Sequence, residues 1–171
     1  MRIRTLKYLA YGSNLHPARL RERVPSARPV GVLGLEGWQL RFHKRGRDSS
    51  GKCNIIRSQC PTACVYAAVY EIDRAEKPAL DRAEGLGGGY EEKRVATDCH
   101  GEAFCYIAAP DFIDERLLPY TWYREYVSIG ARFHELPDAY VRAIEIVEAV
   151  PDPDAERREI NERIMAKLQD R

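Results

Sequence analysis

Three stretches of this 171-residue chain carry side chains suited to chemistry. The first is Tyr11-Gly12-Ser13-Asn14, set between the apolar run Tyr8-Leu9-Ala10 and Pro17. Glycine at such a junction lets the backbone approach a bound group closely and reach positive φ. Ser13, Asn14 and the start of a following helix would then offer several N–H donors aimed one way, which suits an anion or a carboxylate. The same residues also make an ordinary capped turn. This is no phosphate loop, because the longer glycine spacing and its lysine are missing.

The second stretch is "LDRAEGLGGGYEEKR", with Glu84 followed by Gly85 and then by Gly87-Gly88-Gly89. Glycine at 85 stops a helix, so Glu84 falls at a helix C-terminus, where the dipole disfavours its charge. In a cleft, burial would raise its pKa and fit it for proton transfer; on the surface it would be one charged residue among many. The third stretch holds Tyr120, Tyr123 and Tyr126, three apart and so able to share a helical face, with Tyr140 further on. Such tyrosines serve either as core or as hydroxyls at a pocket rim. His16, His43, His100 and His134 show no mutual spacing, and no Gly-x-Ser-x-Gly nucleophile elbow is present.

The elements that must position these groups follow from pattern. "TLKYLAY" reads as a strand, and Pro17 opens a helix with Leu20 and Val24 on one face. "PVGVLGL" and "WQLRFHK" read as a pair of strands around Glu36-Gly37, followed by a charged loop at 44–52 and strands at "CNIIRS" and "TACVYAAVYEI". Asp73 and Glu76 have capping-box spacing, and Pro78 marks either a kink or the true start of the helix that ends at Gly85. "YEEKRVAT" and "GEAFCYIAA" form a hairpin across "DCHG". From Asp111 onward the pattern is helical, with Leu136, Tyr140, Ile144 and Val147 on one face of a helix. A last helix begins at Asp152-Pro153, and its thin stripe of Ile160, Ile164 and Leu168 marks it as peripheral. Strands first and helices last imply an α+β domain with a mixed or antiparallel sheet, curled towards a barrel.

Composition narrows the classes. A hydrophobic fraction of 44% suits a globular core. No apolar run reaches the length of a membrane span, and Tyr8–Tyr11 is too short for a signal-peptide core, so a cytoplasmic protein is expected. Five cysteines (Cys53, Cys60, Cys64, Cys99 and Cys105) are an odd number without metal-site spacing, so free thiols and no bound metal are expected. Net charge is +1, but residues 1–60 hold 13 Lys and Arg against 3 Asp and Glu, a net of +10. Such a segment meets an acidic small molecule or nucleic acid, or is neutralised by the acidic remainder of the chain. The basic residues are spread over several elements without a dense stripe, which favours neutralisation and argues against nucleic acid.

In order and spacing, "YLAYGSN", "LDRAEGLGGGYEEKRV" and "WYREYVSIGARFHELPDAYV" together resemble the γ-glutamylcyclotransferase family, over roughly residues 7–152. Members convert a γ-glutamyl compound to 5-oxoproline and a free amine or amino acid. The resemblance implies a mixed, partly closed β-barrel with flanking helices, built as one domain over 1–171 with a peripheral helix at about 153–170. It implies no cofactor, no metal, a small γ-glutamyl substrate within glutathione metabolism, no membrane partner and, as in some relatives, a homodimer. Tyr8, Leu9, Ala10, Tyr11, Gly12, Ser13 and Asn14 match the substrate-binding loop. Glu84 matches the catalytic carboxylate, and Tyr90 and Tyr123 match pocket tyrosines. The triple glycine before Tyr90 departs from the family pattern, and with the basic loop at 44–52 it is expected to reshape the leaving-group side. A preference for γ-glutamyl-amines or a γ-glutamyl-protected metabolite, and a binding protein without turnover, are the alternatives.

Overall fold

The computed structural model describes residues 5–169. Strand β1 (Thr5–Ala10) lies at the centre of a five-stranded sheet in the order β2-β5-β1-β7-β6. Its neighbours are β5 (Cys64–Asp73), antiparallel, and β7 (Gly101–Ala108), parallel. Successive side chains point to opposite faces, and Leu9 and Ala10 are both fully buried, so this central strand is covered on both faces. Across from it, β5 buries Val65, Ala67, Ala68, Val69, Tyr70 and Ile72, as its almost uninterrupted apolar run requires. Strands β2 (Arg28–Glu36) and β6 (Tyr90–Thr97) are the edges.

Two free edges mean that the sheet does not close, so the partly closed barrel expected from the sequence is replaced by an open mixed sheet and a separate ribbon. That ribbon is formed by β3 (Trp38–Arg45) and β4 (Gly51–Arg57). Strands β2 and β3 are therefore consecutive without pairing: β2 pairs with β5 and β3 with β4. Gly37, at φ 74, turns the chain out of one sheet and into the other. The charged segment 44–52 is the turn of this ribbon: residues 46–50 form the loop between Arg45 and Gly51, and the strands take only its two ends.

Helix α1 (Pro17–Arg21) is short and is capped by His16, whose Nδ1 accepts from Ala18 N–H. Helix α2 (Lys77–Glu84) begins beside Pro78 and stops at Gly85, at φ 75. Asp73 caps a short 3-10 turn before it, accepting from Ala75 N–H at 2.9 Å. Glu76 does not close the expected capping box; its carboxylate takes both donors of Ser26 instead. Helix α3 (Thr121–Phe133) buries Trp122, Tyr123, Tyr126 and Val127 against the core. Helix α4 (Asp138–Glu145) is shorter than its apolar pattern, and α5 (Ala155–Gln169) begins after Asp154, which accepts from Arg157 N–H. Helix α5 is held by Asn161 against the Tyr126 hydroxyl and by the Arg157–Asp152 ion pair, while Ile160 stays exposed.

Candidate active site

The loop that follows β1 and the C-terminal end of α2 meet through one side chain. Asn14 is buried, and its amide nitrogen donates to Glu84 Oε1 at 2.5 Å and to the Tyr8 hydroxyl at 3.3 Å. Its amide oxygen accepts from Arg23. Asn14 thus joins residues 70 positions apart and leaves Glu84 at the wall between two pockets.

The inner recess has a volume of about 20 Å³, room for one water or one substituent of a substrate. Tyr8, Tyr11, Tyr90, Tyr106 and Tyr123 wall it, with Gly12, Ser13 and Asn14 at its edge. Its hydroxyls are held internally. Tyr11 donates to the Tyr106 carbonyl, Tyr106 donates to Asp81 Oδ1 at 2.6 Å, and Tyr90 donates to the Cys53 carbonyl at 2.6 Å. The Cys53 N–H donates to the Tyr123 hydroxyl at 3.0 Å, so the Cys53 backbone is gripped by two tyrosines. Gly12 fits because of space rather than φ: it is not in the left-handed region, and a Cβ there would lie 3.0 Å from Cys53 Cβ. Among the described residues, the N–H groups of Gly12 and Ser13 find no acceptor.

Outside the recess lies a cavity of about 280 Å³, at the low end of the ~300–1,000 Å³ range of small-molecule sites. Ser13, Glu84, Tyr90 and Tyr123 border both spaces. The outer wall is basic, with Arg19, Arg23, Lys44, Arg47 and Lys52. Lys44, Arg47 and Lys52 belong to the basic loop 44–52 that the sequence set on the leaving-group side; Arg19 and Arg23 were not anticipated. The signal was the +10 charge of residues 1–60, which is only partly spent on neutralisation, as in the Lys7–Glu71 and Arg41–Glu115 pairs.

Burial raises the Glu84 carboxyl above the ordinary glutamate value, and Arg23, the Asn14 hydrogen bond, Lys44 and Arg19 pull it part of the way back. Its place in the last turn of α2 works in the same direction as burial. Burial also holds the Tyr8, Tyr11, Tyr90 and Tyr123 hydroxyls well above their usual range, so they stay neutral. The Cys53 thiol is pushed up to about 12, again by burial, which makes it a poor nucleophile. Among these groups, Glu84 is the one suited to exchange a proton near neutrality.

Of the residues anticipated for the site, Tyr8, Tyr11, Gly12, Ser13, Asn14, Glu84, Tyr90 and Tyr123 converge on the recess. Leu9 and Ala10 do not: their side chains lie in the core, face neither pocket, and serve to anchor the central strand. Helix α1 offers no donors to the loop, because it begins only at Pro17 and His16 already caps it. Among the described residues, no cluster of three His, Cys, Asp or Glu side chains could hold a metal, and no helix is long and apolar enough to cross a membrane.

Comparison with known proteins adds to this geometry. The model of the AIG2-like family matches residues 64–144, the span that contains α2, Glu84 and α3. The human protein named gamma-glutamylcyclotransferase is 30% identical over 156 residues, covering 82% of this chain and 78% of its own length. The mouse protein of the same name is 29% identical, covering 84% and 79%. A solved structure titled gamma-glutamyl cyclotransferase superposes with a TM-score of 0.82 at 26% identity, over 96% of this chain and 99% of that one. At 30% identity over four-fifths of its length to the human protein, and with this superposition, the chain belongs to the γ-glutamylcyclotransferase family.

Proposed function

We infer that this protein is a γ-glutamylcyclotransferase, which closes a γ-glutamyl compound on itself to give 5-oxoproline and a free amine or amino acid. The observation that carries the reading is the Glu84 carboxylate, fixed by Asn14 in the wall shared by the recess and the outer cavity. Nucleophile and electrophile belong to one molecule, so the protein's first task is to fold the glutamyl chain into a near-attack conformation. The α-ammonium gives a proton to Glu84. The freed amine attacks the γ-carbonyl carbon, forming a C–N bond and a tetrahedral oxyanion. The oxyanion collapses and the old C–N bond breaks as Glu84 gives its proton to the leaving nitrogen; the ring nitrogen then loses its second proton, which passes by way of Glu84 to the freed amine and leaves neutral 5-oxoproline and an ammonium. No water is consumed.

The unused N–H groups of Gly12 and Ser13 are suited to hold the glutamyl carboxylate or the oxyanion. Neutral tyrosines wall the recess without competing for the proton. The recess takes one substituent of the glutamyl group, and the outer cavity takes the rest of the substrate. Incubation of the purified protein with a γ-glutamyl dipeptide tests the reading. Equimolar 5-oxoproline and free amino acid are expected. Free glutamate in place of 5-oxoproline would mark a hydrolase and contradict it.

A further inference from the structure

The outer cavity holds more positive charge than ring closure uses. Lys52 is matched by Asp48 at 2.7 Å. Lys44 has no such match: among the described residues its Nζ makes no hydrogen bond and no ion pair, although Lys44 is only 6% exposed. Glu84 lines the same cavity without pairing with it. Two aromatic faces steady the ammonium, with the Tyr90 ring centroid 4.5 Å away and that of Phe112 5.8 Å away. The stem of Lys44 is buried while its ammonium opens on the outer cavity, so it faces solvent there and is placed to meet a ligand carboxylate.

The surroundings are shaped around this lysine. Strand β3 shifts register between Arg41 and Lys44, which re-aims the side chains that follow. Gly89, last of the three glycines before Tyr90, lies at φ 134. A Cβ there would come within 2.8 Å of Lys44 Cε and 2.9 Å of Nζ. The triple glycine and the basic hairpin, two separate oddities of the sequence, thus make one feature. Arg47 extends it from the same hairpin, also without a carboxylate partner among the described residues.

We propose that Lys44, with Arg47 beside it, forms a subsite for an acidic side chain on the leaving amino acid, so that the preferred substrates are γ-glutamyl dipeptides of glutamate or aspartate. This rests on the cyclotransferase reading above. A simple γ-glutamyl dipeptide brings one carboxylate on the glutamyl group and one on the leaving amino acid. Arg19 and Arg23 on the same cavity wall and the loop N–H groups are available to meet these. A third carboxylate gives the Lys44 ammonium the acceptor it lacks.

The test compares γ-glutamyl-glutamate with γ-glutamyl-glutamine, which match in shape and differ in charge. The wild-type kcat/KM should favour the acid by about tenfold or more. Lys44→Met should bring the ratio near 1, chiefly by raising KM for the acid, and Lys44→Arg should retain the preference. Equal kcat/KM values in the wild type, or equal losses for both peptides in Lys44→Met, would overturn the proposal. Calorimetry on the Glu84→Gln protein separates this subsite from the reaction itself. Tighter binding of the acid there supports the subsite even if neither peptide is cyclised, whereas equal binding overturns it.

Discussion

The inner recess and the outer cavity share a wall and differ in how their polar groups are satisfied. In the recess, the hydroxyls of Tyr11, Tyr90 and Tyr106 and the amide of Asn14 are tied to protein partners. In the outer cavity, Lys44 and Arg47 are not. A satisfied network holds one geometry, which is what proton transfer over a hydrogen-bond length requires. Cations that face the cavity without a protein partner are free to adjust until a ligand fixes them. The contrast divides the labour: the recess fixes the chemistry, and the outer cavity selects what leaves.

Substitutions that break this division should differ in kind as well as size. The largest effect is expected from Glu84→Gln, which keeps an acceptor for Asn14 but removes the proton carrier. Its kcat should fall about 10²–10⁴-fold with KM little changed, measured by steady-state 5-oxoproline release. Asn14→Asp comes next. It sets a second carboxylate where an amide now donates to Glu84, and like charges disfavour ionisation. A loss of about 10- to 100-fold in kcat/KM is expected near neutral pH, with recovery as pH rises. Gly89→Ala should act chiefly on the outer cavity. An L side chain at φ 134 is strained, at a stability cost of about 1–3 kcal/mol read by chemical denaturation, and its Cβ would push the Lys44 ammonium aside and lower the preference for acidic leaving groups.

Much of the site could be read from residue types, because a Gly-Ser-Asn turn after a strand and a glutamate before a glycine stop each have a local signature. The link between them could not. Asn14 reaches Glu84 across 70 positions, and no local pattern encodes that contact. Leu9 and Ala10 misled for a related reason: adjacent to the loop in sequence, they sit inside the central strand and face the core. Strands β2 and β3 looked like partners because sequence shows adjacency but not the change of sheet at Gly37. The basic surplus of the first 60 residues was visible, yet its concentration on one cavity wall depends on the fold bringing Arg19 and Arg23 to the same cavity as the β3–β4 hairpin.

The central claim is that Glu84 carries the proton, and the acidic limb of the kcat/KM profile tests it most directly. Burial raises the Glu84 pKa, and only its carboxylate form accepts a proton. Activity should therefore be full above that raised value and be lost as pH falls through it, at a pH above the ordinary glutamate range. The residual activity of Glu84→Gln should lack this limb. The same limb persisting in Glu84→Gln would contradict the assignment.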